Sequence, residues 1–323
     1  MTKRALITGI TGMDGSHMAD LLLSKGYEVF GMVRHRSSGI DESNIAHILD
    51  RVVLTKGDLD DSSSLYRVVG SCQPDEIYNF AAQSFVGDSW NLAEHTANIT
   101  GLGVLRLLDV VKTVNQEIRF VQASTSEMFG LLDYDVANER SRFHPRNPYG
   151  VAKLFAHHIV RNYRESYGMF ASASIAFNHE GPRRRKQFVT RKITDGVARI
   201  SLGLADTLTL GNLEPRRDWG YAPEYVEGVW RMLQTDVPDD FVFATGESHS
   251  VEEFVKTAFE VVGITGLQWK KYVTHDPKFM RPVEVDYLRG DYTKAKTTLG
   301  WEPSVKFKEL VEIMVRNDIE LLR

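Results

Sequence analysis

Thr8-Gly9-Ile10-Thr11-Gly12-Met13-Asp14-Gly15 follows the apolar run Ala5-Leu6-Ile7 and leads into Met18, Leu21 and Leu22 at helical spacing, closed by Gly26. Glycines at 9, 12 and 15 between a strand and a helix permit a tight turn, a close backbone approach to a pyrophosphate, and close helix–strand packing. The free N–H groups at the helix start would receive the negative charge. Three glycines alone are a weak signal, but their place between the first strand and the first helix makes them a dinucleotide-binding fingerprint.

From this loop outward the chain alternates short apolar runs with helical patterns. Candidate strands are Ala5–Ile10, Glu28–Val33, Val52–Lys56, Glu76–Ala81, Arg119–Ala123 and Ala171–Phe177. Between them, Leu102, Val104, Leu105, Leu108 and Val111 give a helix with an apolar face wide enough for burial on both sides. Such alternation specifies an α/β fold, a Rossmann-like doubly wound parallel sheet. After Asn178 the rhythm changes to basic and aromatic loops, including Pro182-Arg183-Arg184-Arg185-Lys186, Arg216-Arg217-Asp218-Trp219 and Phe279-Met280-Arg281-Pro282. We therefore expect a nucleotide-binding domain over residues 1–178 and a smaller C-terminal α/β substrate-binding region over 179–323. A strand near 240–246 should return to the first sheet, and an amphipathic helix should cover roughly 308–322.

Composition narrows the functional classes. The 323 residues carry a formal charge of −4, with 42% hydrophobic and 25% charged residues, as in an ordinary folded protein. A near-neutral chain lacks the strongly basic face of a nucleic-acid binder, and no stretch reaches the ~18 consecutive apolar residues of a membrane span. Cys72 is the single cysteine, which excludes an intrachain disulfide and a cysteine zinc cluster. The first apolar run is too short for a signal peptide, so a cytoplasmic location is expected. The histidines are scattered, and His157 and His158 are adjacent on a helix and point apart, so no metal site is expected.

The end of the second strand selects the dinucleotide. An NAD site usually places a carboxylate there, and an NADP site an arginine. Here the chain reads Val33-Arg34-His35-Arg36-Ser37-Ser38. A 2′-phosphate would find two guanidinium groups and two hydroxyls, which points to NADP; the alternative is ordinary surface charge.

Further along, Ser124-Thr125-Ser126-Glu127 follows the fifth strand, and Tyr149-Gly150-Val151-Ala152-Lys153 lies on a helix. Tyr and Lys four apart share a helix face, and an ammonium group near a phenol favours the phenolate, so Tyr149 is a candidate general base. If the strand continues, Thr125 and Glu127 also share a face. Glu127 then adds a second proton-transfer group, which simple hydride transfer at a carbinol does not require. A salt-bridged or solvated glutamate is the plain alternative.

Together these residues resemble the extended short-chain dehydrogenase/reductase superfamily, and within it the GDP-mannose 4,6-dehydratase family. The likeness spans nearly the whole chain. It includes Tyr78-Asn79-Phe80-Ala81-Ala82-Gln83-Ser84, Ala123-Ser124-Thr125-Ser126-Glu127, Pro148-Tyr149-Gly150-Val151-Ala152-Lys153, Phe177-Asn178-His179-Glu180, Phe188-Val189-Thr190-Arg191-Lys192, Leu210-Gly211-Asn212 and Arg281-Pro282-Val283-Glu284-Val285-Asp286. The resemblance implies conversion of GDP-mannose to GDP-4-keto-6-deoxy-mannose, with Thr125, Glu127, Tyr149 and Lys153 as the catalytic group. It implies cofactor contacts from Gly9, Thr11, Gly12, Met13, Asp14, Gly15, Arg34, Asp58, Leu59, Ala81, Gln83, Ser84, Tyr149, Lys153, His179 and Arg184. It further implies that Asn178, Lys192, Gly211, Arg217, Arg281 and Glu284 hold the GDP-sugar, and that the protein is a homodimer or homotetramer. An Arg217–Asp218 ion pair and a surface Glu284 are the alternatives for those two positions.

The sequence departs from the family pattern at Met13 (usually Gln), His17 (usually Tyr), Gly181 (usually Ser) and Arg185 (usually Gly). The smaller residue at 181 is expected to widen the sugar pocket, which leaves GDP-manno-heptose as an alternative substrate. A same-fold epimerase or reductase is the second alternative, since neither needs the Thr-x-Glu pair.

Overall fold

A computed structural model describes all residues except 1, 35–38, 40, 133–134 and 280–282, together with the side chain of Lys278. Its centre is a seven-stranded sheet built from β1 (Arg4–Thr8), β2 (Glu28–Val33), β3 (Val52–Lys56), β4 (Glu76–Asn79), β5 (Arg119–Thr125), β6 (Ala171–Ala176) and a last strand, Asp240–Phe243. All its pairings are parallel, and the order runs from Asp240–Phe243 through β6, β5, β4, β1 and β2 to β3. The strand expected near 240–246 does return to this sheet.

Side-chain alternation explains why the sheet is covered twice. Leu6 packs with the helices Ser62–Cys72, Gly103–Val114 and Pro148–Tyr167, whereas Ala5 and Ile7 face the helices Met13–Ser24 and Ala222–Met232. All three residues are fully buried, as a strand with helices on both faces requires.

Several boundaries differ from expectation for local physical reasons. β1 stops at Thr8 because Gly9 turns into the left-handed region at φ 71°. β4 stops at Asn79, because the Ala81 N–H leaves the ladder and donates to the Thr8 hydroxyl at 3.1 Å. β5 runs on to Thr125, still paired with Ala176 of β6, and then turns, so Thr125 and Glu127 do not share a strand face. The helix Gly103–Val114 buries Val104, Leu107, Leu108, Val110 and Val111, while Leu105 is half-buried and Leu102 just before the helix is 41% exposed.

The C-terminal residues build a separate apolar cluster. The helices Val189–Ser201, Val251–Val261 and Phe307–Leu322 bury Ile193, Val197, Phe254, Phe259, Leu310 and Met314 against one another. A short parallel pair, Asn178–Glu180 with Trp219–Tyr221, joins this cluster to the end of β6.

Two half-buried or buried histidines, His17 and His157, are held neutral to about pH 4, chiefly by burial. His157 lies under the site with Nδ1 3.2 Å from the Ser124 hydroxyl. A histidine depressed in the folded state contributes stability that is present above its unfolded value near 6.5 and is lost as pH falls through 4. The melting temperature should therefore fall between pH ~6.5 and ~4. His157→Asn, which keeps a polar partner for Ser124 without titrating, should make that fall shallower; an unchanged slope would show that His157 does not contribute.

Candidate functional site

In the sheet order β1 is flanked by β2 on one side and β4 on the other, so the chain leaves their carboxyl ends in opposite directions and opens a crevice there. That crevice deepens into a cavity of about 1010 Å3 between the sheet and the C-terminal cluster. Every candidate residue named from the sequence lines it except Arg281, which lies outside the described residues. At the end of β2, Arg34 lines the cavity, while His35, Arg36, Ser37 and Ser38 also lie outside the described residues.

The glycine loop fits a phosphate by steric necessity. A Cβ on Gly15 would lie 2.3 Å from the Gly9 carbonyl oxygen, and one on Gly9 would lie 2.9 Å from the Ala81 nitrogen. The helix Met13–Ser24 begins at Gly12 with no side-chain cap, so its first N–H groups are available to an anion. Asp14 in this first turn faces His179, with Nε2 and Oδ1 3.0 Å apart, and the His179 Nδ1 is 2.7 Å from the Phe177 carbonyl. Burial opposes charge on both groups, but their mutual attraction outweighs it. Asp14 is held below the usual carboxylate range and His179 above the usual imidazole range.

Two neighbours complete this wall. Arg184 pairs with Glu180 at 3.0 Å and lays its guanidinium 3.7 Å from the Phe188 ring centre. Across the opening, the Gln83 N–H donates to Thr100 and its side-chain amide to the Phe85 carbonyl, which fixes the loop after β4.

The four residues proposed for proton transfer converge at the end of β5. The Thr125 hydroxyl caps the turn by accepting the Glu127 N–H at 3.3 Å. Asn147, whose part the sequence did not reveal, donates its Nδ2 to Glu127 Oε2 at 2.7 Å. Tyr149 stands in the first turn of the helix Pro148–Tyr167. Burial raises its phenol well above the ordinary value; Thr125 and Arg184 act against that rise, while Glu127 and Asp14 reinforce it. Lys153 is buried one turn on, with Nζ 5.7 Å from the Tyr149 ring centre and donating to the Ala123 carbonyl at 2.5 Å. Burial pushes its ammonium down to about 8, opposed by Asp14.

At the far end of the cavity, Arg217 does not pair with Asp218. It reaches Glu284 at 3.2 Å and the Val285 carbonyl at 2.6 Å. Asp218 instead accepts the backbone N–H groups of Thr245, Gly246 and Gly290 and the Thr245 hydroxyl. Burial still lifts its carboxyl to about 6, against those four hydrogen bonds. Asn178 Oδ1 is buried without a partner on the cavity wall, an unmet acceptor that a ligand donor would satisfy. Lys192 sits 3.3 Å from the Phe279 ring centre, beside Gly211, where a Cβ would come 2.8 Å from the Phe279 carbonyl oxygen. Gly181 is not on the cavity wall; a side chain there would meet Tyr221, Ala222 and His17. The widening expected from that position is therefore absent. Among the described residues no group of three or more His, Cys, Asp or Glu could hold a metal ion, and no helix is long and apolar enough to cross a membrane.

A doubly wound sheet, a glycine loop at its switch point and a buried Tyr–Lys pair beside a Thr-x-Glu turn define an extended short-chain dehydrogenase/reductase. Residues 6–314 match the family model described as GDP-mannose 4,6 dehydratase. The chain belongs to that family. The GDP-mannose 4,6 dehydratase of Homo sapiens is 50% identical over 344 aligned positions, covering 99% of this chain and 92% of the human protein. The GDP-mannose 4,6-dehydratase of Sinorhizobium fredii is 47% identical, covering 99% and 98%. Among solved structures, a UDP-glucose 4-epimerase with UDP-glucose from Thermotoga maritima superposes with a TM-score of 0.87 at 25% identity, covering 99% of each chain. A Thermus thermophilus UDP-glucose 4-epimerase in complex with NAD gives 0.84 at 25% identity, covering 98% of each chain.

The raised Tyr149 phenol is directly measurable. In ligand-free protein, the ultraviolet difference between wild type and Tyr149→Phe should show no tyrosinate from this residue below its ordinary value of 10. Ionisation well below that pH would contradict burial as the dominant influence.

Proposed function

We propose that the cavity converts GDP-mannose to GDP-4-keto-6-deoxy-mannose and water, using a bound NADP that is regenerated in each turnover. The observation that carries this reading is a buried carboxylate, Glu127, which adds a second proton-transfer group beside the Tyr149–Thr125 pair in one cavity. Oxidation of a carbinol needs one base; elimination of water from the adjacent carbons needs another proton-transfer group.

NADP rather than NAD is supported by the absence of a carboxylate at the end of β2 and the presence there of Arg34 on the cavity wall. A solved neighbour that holds NAD supports the coarser assignment to a nicotinamide dinucleotide. Gly9, Thr11, Gly12, Met13 and Gly15 would hold the pyrophosphate. Asp14, Asp58, Leu59, Ala81, Gln83, Ser84, His179 and Arg184 would line the rest of the cofactor, with Tyr149 and Lys153 at its reactive end. The chemistry it supplies when bound is the storage of one hydride, taken from C4 and returned to C6, so that no external reductant is consumed.

This chain's residues then move the protons. Tyr149 takes the C4 hydroxyl proton, with Thr125 and Arg184 lowering the phenol against the rise imposed by burial, and Lys153 standing one helical turn away. The resulting 4-ketone acidifies C5, and Glu127 removes that proton. Glu127 returns a proton to the departing C6 hydroxyl, which leaves as water, and Tyr149 delivers its proton to C5 as C6 is reduced. Asn178, Lys192, Gly211, Arg217, Arg281 and Glu284 would hold the GDP-sugar. Arginine suits the diphosphate and the glutamate suits the two N–H donors of guanine. Residues 1–178 would form the cofactor-binding domain, joined by the strand Asp240–Phe243, and 179–323 the sugar-nucleotide region, with His179 and Arg184 reaching back to the cofactor and Asn178 forward to the sugar. We infer a homodimer or homotetramer built on the exposed apolar face of Leu102, Val151 and Phe155; Val151→Glu should lower the sedimentation coefficient, and no change would remove this face from the assembly.

Incubation with GDP-mannose and no added reductant should give a product lighter by one water. Glu127→Gln should slow its formation by at least about 100-fold. Dehydration of GDP-manno-heptose but not of GDP-mannose would move the assignment to the longer sugar, and inertness toward both would favour epimerase or reductase chemistry.

A further inference from the structure

Asn147 immediately precedes the helix that carries Tyr149 and Lys153, and its side-chain amide is used at both ends. The Oδ1 accepts the Gly150 N–H at 2.7 Å, capping the helix, and the Nδ2 donates to Glu127 Oε2 at 2.7 Å. The residue is 6% exposed and Glu127 is 7% exposed, so water does not compete freely for either bond. The first helical turn also presses directly on the Glu127 backbone: a Cβ on Gly150 would lie 2.7 Å from the Glu127 carbonyl oxygen. One planar amide therefore fixes the carboxylate and the start of the Tyr–Lys helix in a single geometry.

We propose that Asn147 is a positioning residue for the dehydration step: it holds the Glu127 carboxylate oriented relative to Tyr149. This rests on the reading of Glu127 as the group that removes the C5 proton. A charge-assisted N–H bond to a carboxylate is short and directional, so it fixes where Glu127 Oε2 points. Other N-cap residues do not reproduce both bonds. Serine caps a helix as well, but its single short hydroxyl lacks the reach of the amide. Aspartate caps equally well yet presents oxygens, with negative charge, where Glu127 needs a donor.

Of the charged and titratable groups, Glu127 acts on the Tyr149 phenol, on which Asp14 and Arg184 also act, and Lys153 stands one turn along the helix from Tyr149. His144 approaches from the preceding segment, where its N–H bonds the Met128 carbonyl at 3.0 Å. Asn147 is the one residue among these whose side chain is seen to donate to the carboxylate.

The test compares Asn147→Ser, Asn147→Asp and Glu127→Gln in the full-length protein. Each is followed by kcat and KM of dehydration, by transient cofactor reduction at C4, and by melting temperature. Asn147→Ser should melt close to wild type, because the helix stays capped. It should still reduce the cofactor but dehydrate about tenfold more slowly, the effect of losing a hydrogen bond to a charged group. The loss should fall on kcat and leave KM near the wild-type value, because the amide touches the carboxylate and does not line the cavity. Asn147→Asp should lower that kcat further, because it turns an oxygen toward Glu127 in place of the donor. Wild-type kcat for dehydration in both variants, with Glu127→Gln inactive, would reduce Asn147 to a helix cap and overturn the proposal alone. Full dehydration by Glu127→Gln would instead remove the base on which the proposal depends, and both would fall together.

Discussion

The approach of three backbones at the switch point governs the rest of the molecule. Gly9 sits at φ 71° with its α-carbon against Ala81, and Gly15 lies so close to the Gly9 carbonyl that no side chain fits. This contact lets the first helix start directly at the carboxyl edge of β1 while the loop after β4 passes over it. Had either glycine carried a Cβ, the helix and that loop would be pushed apart, and the helix N-terminus would no longer face the crevice.

Behind that contact, buried polar side chains tie the central strands together. The Thr8 hydroxyl donates to Asn79, the Asn79 amide donates to Gln122, and Gln122 donates to the Ala123 carbonyl, the group that also receives Lys153. The row runs across β1, β4 and β5 under the cavity floor, and its members are satisfied by one another, as burial requires. The floor is consequently rigid where Lys153 and Tyr149 stand on it. Burial works on these two in opposite senses, lowering the ammonium and raising the phenol. Burial therefore leans both toward their neutral forms, and a charged ligand beside them would change that balance.

How much of this was legible in the sequence follows from the range of the interactions involved. The glycine loop, the alternating strands and Tyr149 with Lys153 are local patterns, and the structure places them together as the spacing required. Glu127 was recognisable as a residue type but not in its geometry, because the turn is set by the bonds from its own N–H to Thr125 and from the Phe129 N–H to the Ser126 carbonyl, which the order of residues does not show. The partner of Arg217 was hidden for the opposite reason. Asp218 is adjacent in sequence, yet its carboxylate is consumed by three backbone N–H groups from 27 to 72 residues away. Asn147 was missed because nothing in the string Asn147-Pro148-Tyr149 distinguishes a helix cap from a cap that also reaches Glu127.

The C-terminal region is held to this floor by contacts that each end at the site. Asn178 pairs with Trp219 and His179 with Gly220, so the segment carrying the unmet Asn178 acceptor is part of a strand pair rather than a free loop. Arg191 donates through Nε to both oxygens of Asp318 on the last helix, at 2.8 and 3.0 Å, and through its terminal nitrogen to the carbonyls of Pro182 and Arg184. Arg191 and Asp318 are almost fully buried. Removal of one member of such a pair typically destabilises by about 3–5 kcal/mol, because the other is left charged and unpartnered. The last helix is thereby coupled to the loop that presents Arg184, although some 130 residues separate them in sequence. A cavity walled by one rigid sheet edge and by loops fastened in this way is largely formed before any ligand arrives. That suits a reaction in which a hydride and several protons must leave and return to neighbouring carbons without the sugar being released between steps.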